Sequence, residues 1–131
     1  MINALFILYV ADQERSTDFY TRVLDRQPTL HVPGMTEFKL NDGSTLGLMP
    51  EAGIKRLLGD NLPDPAAASG IPRSELYLTL PDADSFHQRA LAAGAQELSP
   101  QAMRNWGHLV AYSLDPDGHV LAFSEQHNIS K

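Results

Sequence analysis

Two apolar runs of matching character punctuate the chain, one at residues 6–12 (FILYVAD) and one at residues 75–82 (ELYLTLPD). Each is rich in strand-forming residues and ends in an aspartate. Each is followed by a run of helical period. Phe19, Tyr20, Val23 and Leu24 recur at i, i+1, i+4 and i+5, and Phe86, Ala90 and Leu91 repeat that stripe. A repeat of this kind predicts two copies of one supersecondary unit.

Within the first copy, the near-continuous apolarity of residues 3–10 predicts a strand buried on both faces. Asp12 is placed to cap the helix, and Glu14 to favour its positive end. Pro28 stops the helix. Short strands are expected near 29–32, 35–40 and 45–49, with turns at Pro33-Gly34 and at residues 41–44 (NDGS), the latter a hairpin signal. In the second copy a strand at 75–80 leads to a helix that begins at residues 81–84 (PDAD) and ends at Ala93-Gly94. Strands follow near 96–98, 108–114 and 120–125, and residues 115–118 (DPDG) form a tight turn between the last two.

Between the copies, residues 51–73 break the pattern. Ile54 to Leu58 has the makings of one or two helical turns, followed by Pro63, Pro65, three alanines, Gly70 and Pro72. A connection this long is a lid or a linker, and the linker reading is preferred because long loops often only connect. The expected fold is α+β. Two βαβββ modules, about 1–50 and 74–127 joined by the 51–73 connector, form curved mixed sheets around a cleft with helices outside, as a single domain over 1–131.

Composition narrows the chemistry. Apolar residues make up 43% and charged residues 20% of the 131 residues, an ordinary globular balance. The absence of cysteine removes disulfides, thiolate metal sites and cysteine nucleophiles. The net charge is −6, with no basic cluster interleaved with aromatics, so nucleic acid is not an expected partner. An acidic surface suits cationic small molecules and serves solubility equally well. The N-terminus has no basic n-region and no apolar run approaches a membrane span, so no membrane partner and a cytoplasmic location are expected.

Two blocks carry a more specific resemblance. They are LYVAD at 8–12 with STDFYTRVL at 16–24, and WGHLVAYSLDPDGHVLAF at 106–123. With them the chain resembles the vicinal oxygen chelate superfamily, which includes glyoxalase I, extradiol dioxygenases, fosfomycin resistance enzymes and bleomycin resistance proteins. Enzymes of that superfamily hold a divalent metal with His and Glu side chains from the first and last strands of each module. Carried onto this chain, the four positions are Leu5, Gly47, Glu75 and Ala122, of which only Glu75 has a donor atom. A slip of one residue meets Ala4, Phe6, Leu46, Leu48, Leu121 or Phe123 and restores nothing.

The resemblance therefore implies a metal-free member of the bleomycin-resistance type, with no cofactor, acting as a homodimer. It would hold a small, partly aromatic and cationic ligand in the cleft, with Glu75 pairing the cation and Trp106 stacking on it. Phe38, Met49, Tyr77 and Tyr112 are expected to line the same cleft. Each of these has a plainer reading, as a core residue or as a glutamate paired with Arg73. Among the histidines, His87 is expected to face solvent, His119 to sit in a turn and His127 in the tail. A rebuilt metal site of His31, His108 and Glu75, serving a glyoxalase-like lyase or dioxygenase, is the alternative, though no metal-ligand spacing supports it. No nucleophile elbow or phosphate-cradling glycine loop is present.

Overall fold

The computed structural model describes residues 2–126, so His127 lies outside the described residues. Two compact units divide the chain, Met1–Ser69 and Gly70–Lys131. The first contains β1 (Ala4–Val10), α1 (Gln13–Leu24), β2 (Leu30–Val32), β3 (Met35–Asn41) and β4 (Ser44–Pro50). The second contains β5 (Glu75–Thr79), α3 (Ala83–Ala92), β6 (Gln96–Met103), β7 (His108–Leu114) and β8 (Val120–Gln126). The strand orders are β1-β4-β3-β2 and β5-β8-β7-β6. In both units the first strand pairs parallel with the fourth and the remaining pairs are antiparallel. The fold is α+β, and the repeat seen in the sequence is a repeat of topology.

Local chemistry accounts for the elements. The Asp12 carboxylate accepts the Arg15 backbone N–H at 3.0 Å and so caps α1. Phe19, Tyr20, Val23 and Leu24 are all buried, as their stripe predicts. Pro33 and Gly34, the latter at φ 95°, make the two-residue turn between β2 and β3. At the next hairpin the Asn41 side-chain oxygen accepts from Gly43 N and Ser44 Oγ, a local side-chain turn. In the second unit the buried Asp115 carboxylate accepts from the backbone N–H groups of Asp117 and His119, at 2.9 Å each. That pins the turn whose Gly118 adopts φ 87°.

Each sheet presents one face to its own helix. In the first, Phe38 pairs with Leu46, and Thr36 with Leu48, on the α1 side. Thr17 of α1 meets Thr36 there at 2.9 Å. In the second, Phe123 packs against Phe86 and His87 of α3.

Two expectations need correction, and a third, the helical turns of the connector, extends further than expected. The first strand is not buried on both faces: β1 is an edge strand whose Leu5, Phe6 and Ile7 are exposed, Phe6 at 59%. Only Leu8 and Val10, under α1, are buried. His87 does not face solvent. It is 0% exposed, because it falls on the same helical stripe as the buried Ala83 and Ala90, and its Nε2 lies 2.9 Å from Glu97 Oε2. The connector is more ordered than its composition suggests. Residues Glu51–Leu58 form a helix, α2, followed by 3₁₀ turns at Gly59–Asn61 and Pro65–Ala68. The Lys55 ammonium donates to the carbonyls of Gly59 and Leu62 and folds the segment back on itself. No helix among the described residues is long and apolar enough to cross a membrane.

Candidate functional site

Strand alternation separates the site candidates. In the second unit Tyr77 pairs with Ala122, and Ala122 with Tyr112, so the three form one row across β5, β8 and β7. Ser99 of β6 continues that row beside Tyr112. Glu75 stands two residues before Tyr77, and His108 and Ser124 complete the same face. This face points away from α3. Ala122, fully buried, stands between the two tyrosines in that row.

Hydrogen bonds fix part of this face. The Trp106 indole N–H donates to Tyr77 Oη at 2.9 Å. Tyr77 Oη and His108 Nδ1 share a hydrogen bond of 2.8 Å, and Ser124 Oγ lies 3.1 Å from the same nitrogen. Trp106 sits in the β6–β7 turn, where Gly107 takes φ 90°, and is half exposed. A half-exposed indole held by its own N–H is a preorganised platform for a planar group.

Arg104 closes one side of the face. Its Nη2 donates to Ser99 Oγ at 2.7 Å and to the Val110 carbonyl at 2.8 Å, and its guanidinium carbon lies 5.1 Å from the centre of the Tyr112 ring. Burial first, then the charges of Glu75 and Tyr77, raise the Tyr112 phenol above its ordinary value of 10.0, against an opposing pull from Arg104. The folded state thus holds this proton more tightly than the unfolded chain. The associated stability is complete below pH 10.0 and is lost as pH rises through the folded-state value. In an alkaline absorbance titration Tyr112 is expected to ionise after an ordinary tyrosine, and Tyr112→Phe to remove that late component. An unchanged late component in the variant would refute the assignment.

The Glu75 side chain makes no ion pair or hydrogen bond among the described residues, with Arg73 or any other group. Its carboxylate is exposed on the face that carries Tyr77 and Tyr112.

The structure thus gathers Glu75, Tyr77, Trp106 and Tyr112 on the second unit and places the other candidates elsewhere. Phe38 lines no ligand surface. It is 0% exposed in the core beneath α1, because its register with Leu46 turns it to the helix side. Met49 is half-buried on the opposite face of the first sheet, in register with Tyr9. His31 is on the α1 side, with Nδ1 2.7 Å from Thr36 Oγ1 and Nε2 3.0 Å from Glu14. His119 is buried, its Nδ1 2.8 Å from Ser74 Oγ. Arg104 and Ser124 belong to the site and carry no motif. Ser124 was reachable only by parity, two residues beyond Ala122 on one strand.

The four positions at which relatives would hold a metal do not fit one. Leu5 and Gly47 share a face of the first sheet, where a Cβ on Gly47 would stand 3.1 Å from Leu5 Cδ1, and neither offers a donor. Glu75 and Ala122 together supply one carboxylate. Among the described residues no three His, Cys, Asp or Glu side chains converge as a metal-holding group.

A family model described as the glyoxalase/bleomycin resistance protein/dioxygenase superfamily matches residues 2–123. An uncharacterized protein of Mycobacterium bovis is 30% identical over 121 residues, covering 86% of this chain and 75% of that protein. Among solved structures, a glyoxalase-related enzyme from Fulvimarina pelagi superposes with a TM-score of 0.79 at 24% identity, covering 94% of this chain and 86% of that one. A glyoxalase/bleomycin resistance protein/dioxygenase family enzyme from Burkholderia phytofirmans gives 0.80 at 15% identity, covering 97% and 100%. At these identities the superpositions speak to fold alone.

Proposed function

The chain belongs to the glyoxalase/bleomycin resistance protein/dioxygenase superfamily, and we propose that within it this protein is a metal-free binder of a small, flat, cationic ligand. The observation that carries the reading is the unpaired Glu75 carboxylate on a face furnished with Tyr77, Tyr112 and the half-exposed Trp106. A carboxylate without a cation beside aromatic rings is matched by a ligand whose positive group adjoins a ring. The donor-poor set of Leu5, Gly47 and Ala122 supports binding over metal-assisted chemistry.

Phenethylamine is the simplest probe of this reading. It is expected to change Trp106 fluorescence to the same extent before and after exhaustive chelation, and Glu75→Gln is expected to weaken its binding about tenfold, the scale of one charge-assisted contact. Binding that disappears with chelation and returns with Zn or Mn would overturn the metal-free reading.

The protein is further expected to act as a homodimer. The exposed Leu5, Ile7, Leu30 and Val32 lie on the face of the first sheet that points away from α1, at its two edges, and such exposed apolar residues are what partners cover. Sedimentation equilibrium should then return about twice the 14.4 kDa chain mass, and a monomer at micromolar concentration would remove this part of the proposal.

A further inference from the structure

Three residues on the face of the second sheet that points away from α3 carry polar groups without partners among the described residues, whereas their neighbours are satisfied. Tyr77 Oη, His108 Nδ1, Ser124 Oγ, Ser99 Oγ and the Trp106 indole N–H all hydrogen-bond to one another or to Arg104. The Glu75 carboxylate, the Tyr112 hydroxyl and the Nη1 and Nε groups of Arg104 do not. Arg104 spends Nη2 alone on Ser99, Pro100 and Val110, and its Nε is buried without an acceptor. Nor does any carboxylate among the described residues pair with its charge.

The pattern has a polarity. Arg104 lies over the Tyr112 ring, so a guanidinium and a phenol stand together as donors. Glu75, an acceptor, acts on the same phenol from its own strand, β5. Because burial and Glu75 both disfavour the phenolate, Tyr112 is a neutral O–H donor at physiological pH. An unpaired cation with a donor beside it, and an unpaired anion on the same face, call for a ligand of complementary double charge. The two N–H groups of Nη1, which donate to no partner among the described residues, are suited to a carboxylate. No ion pair joins Arg104 to Glu75 among the described residues.

We propose that the second sheet binds an aromatic zwitterion, its carboxylate on Arg104 and Tyr112, its ammonium on Glu75 and its ring against Trp106. This rests on the ligand-binding reading above and adds an anionic group to the ligand class given there.

A matched series tests it: L-phenylalanine, phenethylamine, which lacks the carboxylate, and 3-phenylpropionate, which lacks the ammonium. Binding is read by Trp106 fluorescence and by calorimetry. Phenylalanine is expected to bind at least tenfold tighter than either analogue. Tyr112→Phe should narrow its advantage over phenethylamine severalfold, and Glu75→Gln should erase its advantage over phenylpropionate. Arg104→Gln should abolish the first advantage, and Arg104→Lys, which keeps the charge but not the fork, should restore part of it. Since Arg104 also pins the β6–β7 turn, the exposed Glu75→Gln and the conservative Tyr112→Phe keep the test valid if Arg104→Gln fails to fold. If phenethylamine binds as tightly as phenylalanine, the zwitterion is wrong and the cationic-ligand reading stands. If phenylpropionate matches phenylalanine and Glu75→Gln changes nothing, both fall. If none of the three binds at millimolar concentration, both fall as well.

Discussion

Phe38→Ala is expected to destabilise the protein by about 3–5 kcal/mol, the usual cost of emptying a fully buried aromatic site. Phe38 is wholly enclosed, in register with Leu46 and under α1 with Phe19, Tyr20 and Val23, all of them buried to 2% exposure or less. Truncation removes the ring's transfer free energy and leaves a cavity that three strands and a helix cannot easily close. Chemical denaturation followed by circular dichroism measures the loss. Binding to the second unit should persist under conditions where the variant remains folded, since none of the residues proposed to bind lies near Phe38 in its sheet. A variant of native stability with weakened binding would return Phe38 to the ligand surface and contradict its placement in the core.

Trp106→Ala is expected to do the converse. The side chain is 51% exposed, and its one hydrogen bond goes to Tyr77. Stability should fall by about 1 kcal/mol, the worth of one such bond. Binding of phenethylamine or phenylalanine should fall roughly 30-fold or more, as for an aromatic anchor at the centre of a contact. Trp106 is the only tryptophan, so calorimetry must replace fluorescence for this variant, and Trp106→Phe should recover part of the affinity through its ring. Equal affinity in wild type and Trp106→Ala would eliminate the stacking platform and, with it, the proposed pose.

The contrast between these two residues shows what the chain reveals by itself. The repeat, the Asp12 cap and the turns at Pro33-Gly34 and residues 115–118 are local, and each has a residue type that only one conformation uses well. Glu75 and Tyr77 share strand parity, so their common face was legible. Phe38 was not: its alternation with Glu37 and Lys39 marks an apolar face but does not say whether that face meets a helix or a ligand, and register with Leu46 settles that only in three dimensions. The polarity of His87 points to solvent, but the fold buries it. Its spacing from Ala83 and Ala90 places it on the buried stripe, and Glu97, which meets its ring, comes from another element. Arg104 was beyond reach for a different reason. Its role depends on a hairpin turn that carries the side chain back over Tyr112, and nothing in a single sequence marks where an arginine's reach will end.

The pairing of first with fourth strand in each unit also bears on how the protein is made. Ala4 pairs with Ser44 in the first sheet, and Glu75 with Val120 in the second. An emerging chain therefore holds β1 without its neighbour until β4 has left the ribosome, and closing so distant a pair carries an entropic cost that slows folding. During that interval Leu5, Phe6 and Ile7 stand as an unpaired apolar strand. Once β4 arrives the first sheet is complete while the second is still being translated, so synthesis itself separates two near-identical topologies that would otherwise compete for each other's strands.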